Sequence, residues 1–274
     1  MRVFDDHSKL FICKTILFNN RLAYYKEYLQ LARANQYEIT SLKDFYELSD
    51  KRNGKHLVLR HDVDSIGIST RKMFEMERNA GITSTYYFRF STIDLQLIHE
   101  MVNGGFEVGL HYETIADYIR ENGCTDKRQI NVEQMRERLV EEIKKFENII
   151  GCKTISCCSH GAYENTKLGI SNNVLTEKQN MDDFGLKFEA YSAELYEKNI
   201  DCHIMDSSVL FNYGFSYQDT PVTAINENKQ NIVLLTHPAH WFYDNPACQI
   251  RALRAWIFGR AMYSTQRSFK RIAD

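Results

Sequence analysis

Proline is scarce in this chain, with 3 in 274 residues, so no proline-rich linker divides it. No stretch approaches the run of about 18 apolar residues that a membrane-spanning helix needs. An excess of one charge is also missing: Lys and Arg number 34, Asp and Glu 36, and the formal net charge is −2. That balance leaves no electrostatic footprint for nucleic acid. Met1 to Asp6 is mixed in charge and no continuous apolar stretch comes after it, which argues against a signal peptide. The 7 cysteines are an odd number, and none of their spacings resembles a zinc ribbon. Cys157 and Cys158, adjacent in an apolar run, read as core thiols, which suits a reducing compartment. The expected location is cytoplasmic. Internal repeats and low-complexity segments are absent as well.

Hydrophobic residues make up 43% of the chain and charged residues 26%, ordinary values that exclude disorder. The length suits one domain able to bury its own core without disulfides. Aromatics and leucines at helical spacing (Tyr24, Tyr25, Tyr28, Leu29, Ala32) predict a helix over 18–36. Thr40-Ser41 offers an N-cap for a short helix ending near Asp50, and Asn53-Gly54 is a turn. A strand–helix rhythm then begins. Strands are expected over 56–62, 83–90, 106–111, 153–159, 186–190, 202–206 and 231–236. Helices are expected from Ser69-Thr70 to Ala80, from Thr92 to Val102, from Asn131 to Ile150, and from Pro246 to Ser268. Such alternation implies parallel strands with helices outside. The strand over 56–62 lacks the glycine-rich turn of a dinucleotide site, so a barrel is favoured over a doubly wound sheet.

Several of these strands close in polar residues. One ends in Arg60-His61-Asp62-Val63-Asp64, one in His111, one in Ser159-His160-Gly161, one in Asp206 and the last in Thr236-His237-Pro238. In parallel α/β folds the C-terminal strand ends meet at one face, where active sites form. Asp62 and Asp64, two apart, point to one side of an extended chain. Two carboxylates that close need a cation or one raised pKa. Carboxylate and imidazole ligands with an open position suit zinc or another divalent first-row ion. Alternatively, Asp64 caps the next helix.

These segments resemble the polysaccharide deacetylase superfamily, the NodB-like carbohydrate esterases, in the cytosolic branch of surface-polysaccharide gene clusters. The matching pieces are Leu59 to Asp64, Ser84 to Arg89, Gly105 to His111, Ser159-His160, Met205 to Ser207, and Leu234 to Pro238 with Trp241. The resemblance runs over residues 57–241. It implies a distorted (β/α)7-type barrel, here over 53–274 of a single domain, with a helical extension over 1–52. It also implies removal of acetyl groups from N-acetylated sugars with one divalent ion, zinc first among them. The partner implied is a carbohydrate; neither nucleic acid nor a membrane span is expected.

The chain departs from the family pattern at three places. Asp62-Val63-Asp64 replaces an adjacent Asp pair. Ile115 stands four after His111, where the family has its second metal-binding His. Ser159-His160-Gly161-Ala162-Tyr163 replaces an Arg-x-Pro-Tyr segment. On this basis Asp64, His111 and His160 are assigned to the metal, Asp62 is the base and His237 the general acid. Asp206 is assigned to the substrate side of the site, where it could also orient His237 or Asp62. Trp241 and Tyr163 either stack on a sugar or pack at the rim. Arg89 meets an anionic substrate group or a local carboxylate, and Arg60 is a counter-charge to the carboxylates. Two other readings share these residues: a phosphoesterase-like metal hydrolase, and a deacetylase scaffold that binds glycan without turnover. A sugar isomerase on an α/β barrel is a third.

Overall fold

The computed structural model describes residues 21–206, 215–217 and 220–242. The helix expected over 246–268, and Ser207 of the matching motif, lie outside the described residues. In chain order come helix α1 (Leu22–Ala34), strand β1 (Tyr37–Ser41), α2 (Leu42–Glu47), β2 (Lys55–Val63) and α3 (Ile68–Asn79). There follow β3 (Thr85–Phe88), α4 (Leu95–Asn103), β4 (Glu107–Tyr112), α5 (Thr114–Asn122) and α6 (Val132–Ile150). Next are β5 (Ser156–Ser159), α7 (Tyr163–Leu168), β6 (Phe188–Glu189), α8 (Ala193–Asn199) and β7 (Cys202–Asp206). The last described elements are β8 (Phe215–Tyr217), α9 (Pro221–Asn226) and β9 (Asn231–Thr236).

The strands lie in the order β6-β5-β4-β3-β2-β9-β7-β8. All pairs on that path are parallel except β7 with β8. Seven parallel strands curl into a half-barrel of the distorted (β/α)7 type, with helix α1 ahead of it. Two strands, β1 and β8, are not among those expected. Tyr37–Ser41 pairs in parallel with Lys55–Leu59, in line with β3, which pairs with Arg60–Val63 further along the same edge. Of the helical extension expected over 1–52, residues 1–20 lie outside the described residues, and the described part holds two helices and β1, which extends the sheet.

Local chemistry sets several boundaries. Ser41 caps α2 by accepting the Asp44 amide at 3.0 Å. Asn131 caps α6 through the amides of Glu133 and Gln134. The buried face of α6 is Met135, Leu139, Ile143, Phe146, Glu147 and Ile150, a helical stripe against the sheet. Helix α3 begins one residue before the expected Ser69-Thr70 cap, so both of those side chains lie inside the helix, buried.

The alternation along β2 organises the interior. Leu57 and Leu59 join the cluster under α1 and α9, whereas Val58 joins Tyr87, Cys158, Phe188 and Val233 on the opposite face. His61 shares the outer face and meets α3. Its Nε2 lies 2.8 Å from Glu77, which also accepts the hydroxyls of Tyr25, Ser84 and Tyr86 at 2.6, 2.7 and 2.8 Å. One buried carboxylate thus ties together α1, α3, β2 and β3.

Gly109 of β4 is required by a close approach. A Cβ there would meet Tyr87 Cε1 at 2.6 Å and the Ser156 carbonyl at 2.7 Å. Gly109→Ala should cost about 1–3 kcal/mol through overpacking, read as a lowered urea midpoint at unchanged m-value.

Candidate active site

The inner face of β2 carries Arg60 and Asp62, two apart and both buried. Arg60 donates through Nε and Nη2 to the two Asp62 oxygens at 2.9 and 2.8 Å. The guanidinium lies over Tyr191, 4.0 Å from the ring centroid, and its Nη2 touches Cys158 Sγ at 2.6 Å. Burial opposes ionisation of Asp62, but Arg60 and then His111 outweigh it and hold the carboxyl well below the usual range. Burial pushes the Cys158 thiol up, so this cysteine is a packed neutral group.

Asp62 Oδ2 and Asp64 Oδ1 both face His111 Nε2, at 3.5 and 3.4 Å. His160 Nε2 lies 3.6 Å from the same Asp64 oxygen. That oxygen is buried and accepts no hydrogen bond. The ligand atoms of Asp64, His111 and His160 all lie within 4.8 Å of one another. Each imidazole is held from behind: His111 Nδ1 is 3.1 Å from the Cys158 carbonyl, and His160 Nδ1 is 3.1 Å from Glu113 Oε1. The two rings meet edge to face, with centroids 4.9 Å apart.

Across the mouth stands His237, its Nε2 3.6 Å from Asp64 Oδ2. Asp206 accepts from its ring Nδ1 at 2.6 Å and from its main-chain amide at 2.8 Å. Burial disfavours the charged imidazole, but Asp206 outweighs it and raises His237 to about 9. Asp206 itself is held at about 2, because His240 and His237 outweigh the cost of its burial.

The structure thus gathers Asp62, Asp64, His111, His160, Asp206 and His237 at one end of the sheet. Three substrate-side expectations change. Trp241 is fully buried, edge-on to Tyr25 and Tyr28, with its indole N–H donating to Asp206 Oδ2 at 2.6 Å. It therefore cannot stack on a sugar; it packs beneath the His237 turn. Asp206 is likewise too buried to touch substrate and orients His237. Arg89 is spent on a local carboxylate: Nε donates to Glu113 Oε2 at 2.6 Å and Nη1 to the Asp64 carbonyl at 3.2 Å. Tyr163 stands 76% exposed at the start of α7. Sequence reasoning missed Glu113 and Tyr191. A carboxylate directly beyond the His111 strand was the available signal for Glu113.

The chain matches no protein-family model and no curated protein. Among solved structures it is similar to a family 4 carbohydrate esterase from Streptomyces lividans, at 17% identity over 77% of this chain and 90% of that one, TM-score 0.40. It is similar to the peptidoglycan deacetylase PdaC from Bacillus subtilis, at 13% identity over 81% and 97% of the two chains, TM-score 0.40. A CE4 family pseudoenzyme from Bacillus anthracis is similar at 14% identity over 76% and 60%, TM-score 0.41, so this chain spans less than two thirds of that one. At such values the likeness extends to no individual residue. The chemistry rests on the side chains described above.

Arg60→Leu would strand the buried Asp62 charge. Removing one partner of a buried pair costs about 3–5 kcal/mol, so chemical denaturation of this variant should show a loss of that order.

Proposed function

We propose that this protein is a metal-dependent hydrolase that removes an acetyl group from an N-acetylated sugar or sugar precursor, in the assembly of surface polysaccharide. The observation that carries the reading is Asp64 Oδ1, buried without a hydrogen bond and faced by the Nε2 atoms of His111 and His160. An unpartnered buried carboxylate oxygen is costly. A cation shared with two imidazoles removes that cost. The outer nitrogens of both rings are already fixed, as metal-ligating histidines require. Asp64, His111 and His160 would therefore hold the ion, zinc being suited to carboxylate and imidazole ligands with an open position. When bound, it would polarise the acyl oxygen and acidify a water.

The remaining steps belong to this chain's own residues. Asp62, ionised and aimed by its bidentate pair with Arg60, accepts the proton of the water that attacks the acetyl carbon. His237, protonated and braced by Asp206, gives its proton to the sugar nitrogen as the C–N bond breaks. Acetate and a free amine result. The sugar class is carried by the motif resemblance over residues 57–241, and Tyr163 is the exposed aromatic nearest in sequence to the site that could stack on a ring. The phosphoesterase reading needs a second ion. Among the described residues two other groups are candidates, and both are poorly suited to one: Asp62 with His111 and Cys158 shares His111 with the first site and has both carboxylate oxygens paired with Arg60, and in Asp206 with His237 and His240 both Asp206 oxygens already accept hydrogen bonds.

Three substitutions test these roles. His111→Ala and Asp64→Asn should abolish both zinc binding, by calorimetry, and acetate release from N-acetylated sugars. Asp62→Asn should still bind zinc and lose about 10²-fold or more in rate. Zinc-free native protein that still binds glycan would instead favour the non-catalytic scaffold.

The acid also fixes a pH limb. His237 is protonated below about 9, so the rate should fall as pH rises through that value. Asp206→Asn removes the group that raises His237, and the fall should move to lower pH. An unmoved limb would remove His237 from the acid role.

A further inference from the structure

We propose that Glu113 is the positioning residue of this site, aiming His160 at Asp64 and tying that imidazole, through Arg89, to the Asp64 main chain. The proposal rests on the reading of Asp64, His111 and His160 as metal ligands. Glu113 occupies the N-cap of α5, where a carboxylate ordinarily accepts a helix amide. Here it makes no such bond. Its side chain turns inward instead and is mostly buried. Oε1 faces His160 Nδ1 at 3.1 Å, and Oε2 accepts Arg89 Nε at 2.6 Å. Arg89 Nη1 then donates to the Asp64 carbonyl at 3.2 Å. One carboxylate therefore fixes His160, just past β5, relative to Asp64, just past β2, although no strand pairing joins β2 to β5.

The same contact sets the tautomer. Oε1 accepts from Nδ1–H, which leaves the Nε2 lone pair directed at Asp64 and available to a cation. Arg120 touches the same Oε1 at 3.3 Å from the solvent side and makes no contact with His160 among the described bonds. It supplies a control that perturbs the carboxylate's charge environment without touching the imidazole.

The test is cobalt(II) titration of the whole chain, followed by calorimetry and by the visible ligand-field spectrum, with folding checked by circular dichroism. Glu113→Ala should bind cobalt up to about 100-fold more weakly than native protein, with an altered spectrum as His160 loses its aim. Glu113→Gln keeps an acceptor for Nδ1–H but loses the Arg89 pair, and should bind about tenfold more weakly. It decides the matter if the alanine variant does not fold. Arg120→Met should leave affinity and spectrum unchanged. Folded Glu113 variants with native affinity and spectrum would overturn the proposal. So would an Arg120→Met loss equal to that of Glu113→Gln, since the effect would then be general charge. Native protein that binds neither cobalt nor zinc would overturn the metal reading itself, which is a different result from native binding with silent Glu113 variants.

Discussion

The buried pair of Arg60 and Asp62 is the constraint on which the site depends. Two charges inside the concave face of a sheet would ordinarily be prohibitive, and their mutual attraction offsets desolvation only when geometry is good and the other donors are occupied. Both requirements are met. The pair is bidentate, Nη1 donates to the Ala190 carbonyl at 3.4 Å and Nη2 also reaches Cys158 Sγ, while Tyr191 lies over the guanidinium. Because the two residues alternate with the outward-facing His61, the pair needs no long-range contact to find its geometry; the strand's period of two supplies it. Once Asp62 is fixed, its Oδ2 and Asp64 Oδ1 converge on one nitrogen of His111.

The opposite face of the same strand answers with a second network. Glu77 gathers His61, Tyr25, Ser84 and Tyr86, and His61 continues to Thr236 Oγ1 at 2.6 Å. Thr236 is the residue before His237. The outer network therefore holds the strand end from which His237 projects, while Tyr25 and Tyr28 of α1 press on Trp241 beyond it. The N-terminal helix is joined to the chemistry through packing, at one remove. Arg21 reinforces the joint by donating its main-chain amide to the Trp241 carbonyl at 2.7 Å.

The strand ends were legible because a lone Asp or His closing an apolar run can be a cap, whereas several such runs in one chain point to a shared face. Helix α6 was legible from its cap and stripe. Strand β1 was not, since Tyr37–Ser41 holds too few residues to display a period and sits between two helical signals. Trp241 was misplaced for a different reason. Its nearness to His237 in sequence suggested the mouth, but the 3₁₀ turn over Pro238–His240 folds the chain back and carries the indole under Asp206. In the sequence Arg89 suggests an anionic substrate group or a local carboxylate, and Glu113 is not singled out. Only the tertiary approach of β3, β4 and β5 shows that they form one chain of bonds.

Under the proposed metal reading, that approach also explains why His160, and not position 115, supplies the second imidazole. Position 115, four after His111, lies in α5, and its isoleucine is fully buried in the core beneath α6 and α4. The second imidazole of that reading comes instead from beyond a neighbouring strand, and parallel neighbours lie roughly 4.8 Å apart. The pairing of β4 with β5 places Tyr112 opposite Ser159, and the His160 amide extends the ladder by donating to the Tyr112 carbonyl at 2.9 Å. His160 is thereby set beside the end of the His111 strand by a main-chain hydrogen bond, and the Asn172 side chain holds its carbonyl at 2.6 Å. Its side chain has no such guide, because it lies past the last paired residue and on a turn. An additional contact is needed to fix the ring, and Glu113, the first carboxylate beyond β4, makes it at 3.1 Å from Nδ1.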